Sequence, residues 1–107
     1  MILLLGKNDA VEKYAEETLK IDMDNDIAYY PDVITHHTEV KKYIDIARDE
    51  KPLVITTQRN DMIDALLSSD LELEVIRVRE CDNKIYAAKH TKEEAWGLRE
   101  EYEMELR

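Results

Sequence analysis

Residues able to hold a phosphate or another small anion gather in two places, Gly6-Lys7-Asn8 and Thr56-Thr57-Gln58-Arg59. Lys7 and Arg59 supply positive charge. The threonine hydroxyls and the Gln58 amide supply hydrogen bonds. A full phosphate loop reads GxxxxGK[ST]: backbone N–H groups wrap the phosphates, the lysine neutralises them, and the hydroxyl holds magnesium. Counted from Gly6, the second glycine falls on Val11, the lysine on Glu12 and the hydroxyl on Lys13. Glu12 would set a negative charge against a triphosphate. The two stretches are therefore candidate ligand-binding residues without the groups that handle a nucleotide. In the plainer alternative, the threonines cap the next helix and Arg59 is solvated.

Asp32 and His36 form a second polar candidate. His36 and His37 are adjacent, so at a helix start they point about 100° apart, and a metal site would need a further ligand. His90 is the one other histidine. Asp22-Met23-Asp24-Asn25-Asp26 opens like a calcium loop, but its sixth position is Ile27 and its twelfth Val33, where glycine and glutamate belong. No metal or cofactor is expected. Cys81 has no neighbouring base in sequence, so no thiol chemistry is expected, and no residue is assigned a catalytic role.

Periodicity gives the strands and helices around these residues. Ile2-Leu3-Leu4-Leu5 is a continuous apolar run, as in a strand buried on both faces. Asn8 or Asp9 can cap a helix with the stripe Val11, Tyr14, Ala15, Thr18 and Leu19. Residues 26–30 read as a short strand. Thr38 can cap a helix with Val40, Tyr43, Ile44 and Ala47 on one face. Pro52 opens a β-branched strand over 53–57, at the position where a strand tolerates proline. Asn60 caps a helix with Met62, Ile63, Leu66 and Leu67 inward. Residues 71–79 and 84–90 form a hairpin turning around Cys81-Asp82-Asn83. Thr91 begins a last helix with the stripe Ala95, Leu98, Tyr102 and Leu106. Trp96 lies beside that stripe. With Tyr102 it is a candidate protein contact, or both cover the sheet.

The order β-α-β-α-β-α-β-β-α predicts a single three-layer α/β domain over 1–107. Its sheet is mostly parallel, with a C-terminal antiparallel hairpin. Ligands of such sheets sit at the C-terminal ends of the parallel strands, here near Gly6, Tyr30 and Thr57.

Composition narrows the function classes. The chain has 107 residues, 44% of them hydrophobic, which is enough for one small core. Its formal net charge is -10. That disfavours direct binding to nucleic acid, whose phosphates require clustered Lys and Arg. It suits a basic partner, or is simply a soluble acidic surface. The lone cysteine excludes an intrachain disulfide, and the first apolar run is too short for a signal core or a membrane span. A cytoplasmic location and no membrane partner are expected.

From about residue 27 onward, and again at its start, the chain resembles the ABC-type AAA ATPases of the archaeal and bacterial single-chain kind. In that family a strand ends in Asp-Glu-Pro-Glu with Leu-His-Pro shortly after. A later strand ends in Thr-Thr-His-Ser, and the last helix ends in an acidic-Leu-Arg tail. Here Pro31-Asp32 stands at Pro-Glu, Thr35-His36-His37 at Leu-His-Pro, and Thr56-Thr57-Gln58-Arg59 at Thr-Thr-His-Ser. Asn60 to Leu67 matches the following helix, Glu105-Leu106-Arg107 the tail, and Leu3 to Asn8 the start of the phosphate loop. Tyr29 and Tyr30 replace the carboxylates that would hold magnesium and orient water. Gln58 replaces the histidine. The family's large insertion after the first helix is missing.

The resemblance implies a miniature P-loop-ATPase-like sheet that has lost its catalytic motifs. The expected function is then a non-catalytic binding or regulatory role. It would act through contact with another protein, basic or nucleic-acid-binding, by homodimerising or by imitating part of an ATPase. The alternative is a small phosphate-ester or nucleotide-processing enzyme using Lys7, Asp32, His36, Thr57 and Arg59. It requires those five residues to converge on one cleft.

Overall fold

The computed structural model describes residues 1–22, 28–29 and 37–105. Five strands and four helices alternate along the described chain: β1 (Ile2–Leu5), α1 (Asn8–Glu17), β2 (Ala28–Tyr29), α2 (His37–Glu50), β3 (Val54–Thr56), α3 (Asn60–Ser68), β4 (Glu74–Cys81), β5 (Lys84–His90) and α4 (Lys92–Glu105). The strands form one mixed sheet in the order β2-β3-β1-β4-β5. The first four are mutually parallel, and β5 pairs antiparallel with β4.

Alternation along each strand sends successive side chains to opposite faces, and the core divides accordingly. Leu3, Leu5, Ile55 and Val75 pack with Val40, Ile44 and Ala47 of α2, Met62, Ile63, Leu66 and Leu67 of α3, and Ala95 and Tyr102 of α4. Leu4, Val54, Ile76 and Val78 pack with Ala10, Val11, Tyr14 and Ala15 of α1. The direction of the crossovers explains the split. From β1 the chain moves outward past β3 to β2, then returns through β3 to β4. The helix of the outward step, α1, packs on the second of these clusters, and those of the return, α2 and α3, pack on the first.

The hairpin follows from two residues. Asp82 and Asn83 have φ of 52° and 63°, the left-handed backbone that a two-residue primed turn demands and that Asp and Asn tolerate. That turn fixes the register Cys81↔Lys84 and, two pairs further on, Arg79↔Tyr86.

Several expected boundaries shift. β4 starts at Glu74, not at residue 71, and continues to Cys81. Leu71 and Leu73 are buried without joining the sheet, and the Lys92 Nζ donates to the carbonyls of Ser69 and Leu71. β3 is limited to Val54–Thr56, with Leu53 half exposed at 51%. Asn8 and Asn60 are the first helical residues and not the caps. The cap positions are Lys7 and Arg59, neither with a side-chain capping bond. Among the described residues no helix is long and apolar enough to cross a membrane.

Candidate functional site

The three strand ends singled out in the sequence are neighbours. β1 and β3 run side by side with Leu4 opposite Thr56, and β2 lies beside β3 with Tyr29 opposite Ile55. Gly6 and Thr57 follow directly on paired strands. Tyr30, Asp32 and His36 lie outside the described residues.

What joins Gly6 to Thr57 is the side chain of Gln58. Its Nε2 donates to the Gly6 carbonyl at 3.2 Å and to the Asn8 Oδ1 at 2.9 Å. Asn8 thereby gives to Gln58 the oxygen that it was expected to give to a helix cap. The connection from β1 to α1 is two residues, Gly6 and Lys7. Lys7 is extended, with φ −69° and ψ 146°, and its carbonyl accepts the first helical bond from Val11 N at 3.0 Å. A loop wound around phosphates needs several consecutive free amides. Here the helix has already begun. Val11, where the second glycine would fall, is a core residue at 1% exposure.

Gly6 has a different reason to be glycine. A Cβ at that position would lie 2.4 Å from the Val78 carbonyl oxygen and 3.3 Å from the Val11 Cγ2. The constraint is the close approach of β4.

The other polar groups are engaged locally. Thr57 is buried, and its Oγ1 accepts from Arg59 N at 3.2 Å. The Arg59 fork closes on Asp61, Nε to Oδ1 at 3.0 Å and Nη2 to Oδ2 at 2.5 Å. Asp61 also accepts from Met62 N at 2.9 Å, a favourable place for a carboxylate in the first turn of α3. Lys7 stays exposed. It lines a cleft of about 340 Å³ with Asp9, Arg79 and Glu80, so two cations face two carboxylates there. A larger depression, about 520 Å³, lies at the opposite end of the strands between Met1, Leu53 and Asp70. At its rim the Arg48 Nη2 meets Asp70 at 2.6 Å. The Arg48 hydrogen bond holds the Asp70 carboxyl below its ordinary range.

No protein-family model matches this chain, and no curated protein or solved structure matches it.

The two candidates on α4 part company. Trp96 is 40% exposed, with the Arg99 guanidinium stacked 4.1 Å from its ring centroid. Tyr102, a candidate either for the same contact surface or for covering the sheet, is a core residue at 1% exposure, as its place on the inward stripe requires. It belongs to the cluster that joins α4 to the sheet. Arg77 meets it there, its guanidinium 5.3 Å from the ring and 3.3 Å from Glu101. Arg77 itself was not singled out in the sequence. Its signal was the two-residue spacing from Val75, which puts it on a core face. Among the described residues no three His, Cys, Asp or Glu side chains group as metal ligands. Cys81 is exposed at the hairpin turn.

Proposed function

We propose that this protein is a non-catalytic binding or regulatory module that acts by contacting another protein. It would be built as a three-layer sandwich on a reduced P-loop-ATPase-like sheet. One observation carries the reading: Gln58, which the resemblance would set at the family's histidine, reaches from the residues after the third strand to Gly6 and Asn8. In that reading, the protein's own side chain bridges the strand ends where a phosphate would otherwise be held. The two core clusters on opposite faces support the layered architecture.

The enzymatic alternative draws little from the described geometry. Arg59 is committed to Asp61, and Thr57 is buried beneath it. Lys7 shares its cleft with Arg79 and with the carboxylates of Asp9 and Glu80, the last paired to Lys13 at 3.4 Å, so a phosphate ester there would meet carboxylates as well as cations. The function is tested by incubating the protein with magnesium-ATP and, separately, with p-nitrophenyl phosphate. The reading expects no product above the buffer rate. Turnover that Lys7→Ala removes would establish the enzymatic alternative.

A further inference from the structure

Helix α4 presents a surface that the fold of the chain alone does not explain. Gly97 sits in the interior of this 14-residue helix. Glycine is the poorest helix former after proline, and it is ordinarily justified by a left-handed backbone or by crowding. Neither applies. No described glycine has a positive φ, and a Cβ built on Gly97 meets nothing within 4 Å. Gly6, whose Cβ would strike β4, shows what an intramolecular reason looks like.

The surroundings of Gly97 have a definite character. Ala95 and Tyr102 mark the inward side of α4, at 0% and 1% exposure. At about 100° per residue, Gly97 and Met104 share the outward side, with Glu93 and Glu100 close to the same line. Met104 is 74% exposed, and Trp96, next to the glycine, is 40% exposed. Bare backbone thus shares the outward line with Met104 and two exposed carboxylates, and Trp96 stands at the edge of that face, about 100° round the helix. The cations of α4 do not neutralise them. Lys92 is turned to the Ser69 and Leu71 carbonyls. Arg99 stacks on Trp96, donates to its carbonyl at 2.9 Å and faces Asp64 at 3.8 Å.

We propose that the outward face of α4 docks a basic amphipathic helix of another protein, whose closest approach is over Gly97. Apolar residues of that helix would cover Trp96 and Met104, and its Lys or Arg side chains would stand opposite Glu93 and Glu100. A glycine lets a second helix come near. Charge selects the occupant. The chain carries a net charge of -10, so a second copy would bring like charges together, whereas a basic helix is attracted. The inference rests on the protein-contact reading above and names its surface and partner chemistry.

The test uses a synthetic Leu/Lys amphipathic helical peptide of about 18 residues, five turns, with a Leu/Glu peptide as control. Binding is read by calorimetry and by the emission of Trp96, the one tryptophan of the chain. The Leu/Lys peptide is expected to saturate and to shift Trp96 emission to the blue. Gly97→Leu is expected to weaken binding about tenfold or more. Gly97→Ala, a better helix former, is expected to raise Tm by about 4–8 °C while weakening binding. No saturable heat with the Leu/Lys peptide sinks the basic-partner reading itself. Saturable heat that Gly97→Leu leaves unchanged, with Trp96 emission unmoved, overturns the α4 surface and spares that reading.

Discussion

The Gln58 side-chain amide donates to the Gly6 carbonyl oxygen at 3.2 Å, across 52 residues of sequence. The same nitrogen reaches the Asn8 Oδ1 at 2.9 Å. One polar side chain therefore ties the end of β3 to the two-residue connection that follows β1. A histidine in its place would be a titratable group. Gln58 carries no charge, and its donors are spent on the protein.

Gln58→Ala removes both hydrogen bonds and leaves the Gly6 carbonyl to find water. The expected loss is about 1 kcal/mol, or about 4–8 °C in Tm for a domain of this size. Denaturant unfolding monitored by circular dichroism measures it. An unchanged midpoint would mean that solvent replaces the bridge without cost.

Gly6→Ala forces a methyl against the Val78 carbonyl, 2.4 Å away, and that oxygen belongs to the backbone. Overpacking of this kind costs about 1–3 kcal/mol. A variant as stable as the parent would show that β4 yields readily at Val78.

Tyr102 and Trp96 lie on one helix, yet their truncations are expected to differ sharply. Tyr102→Ala empties a fully buried aromatic site beside Arg77 and is expected to cost about 3–5 kcal/mol. Trp96→Ala removes a part-exposed ring and is expected to cost less than about 1 kcal/mol. Parallel urea melts of the two variants give the comparison, and equal losses would contradict the placement of Tyr102 in the core.

Helix α4 starts with a reciprocal cap. Glu94 N donates to the Thr91 Oγ1 at 3.2 Å, and Thr91 N donates to the Glu94 Oε1 at 3.1 Å. Thr91→Ala is expected to cost about 1 kcal/mol. The Thr91 backbone N–H, and then its hydroxyl, hold the Glu94 carboxyl below its ordinary range. A carboxyl depressed in the folded state stabilises the fold above its unfolded pKa and loses that contribution as pH falls through the folded one. Glu94→Gln should therefore narrow the stability gap between pH 7 and pH 3, and an identical acid profile in parent and variant would contradict the cap.

Much of the fold was legible because local and tertiary preferences agree. The α3 stripe Met62, Ile63, Leu66 and Leu67 is inward as its spacing requires. The Asp82-Asn83 turn and the bounds of β5 follow from residues that accept a left-handed backbone. The start of β4 was less legible. Leu71 and Leu73 alternate like a strand, but the carbonyls of Ser69 and Leu71 are taken by Lys92, 23 and 21 residues away. No local pattern encodes that contact. At the candidate site, the neighbourhood of Gly6 and Thr57 could be read from parallel strand order. The bridge by Gln58 could not, because it depends on how early α1 begins. The capping pair was available in the spacing of Thr91 and Glu94. Asp32 and His36 lie outside the described residues.

The most direct measurement is the melting temperature of the protein with and without millimolar magnesium-ATP. A ligand at about a hundred times its dissociation constant stabilises by about 2.7 kcal/mol, which for this size of domain raises Tm by roughly 10 °C or more. With Gln58 bridging β3 to Gly6 and Asn8, the two melting curves are expected to coincide. A shift of that size would show that the strand ends accept a nucleotide, and would contradict the proposal of a closed, non-catalytic site.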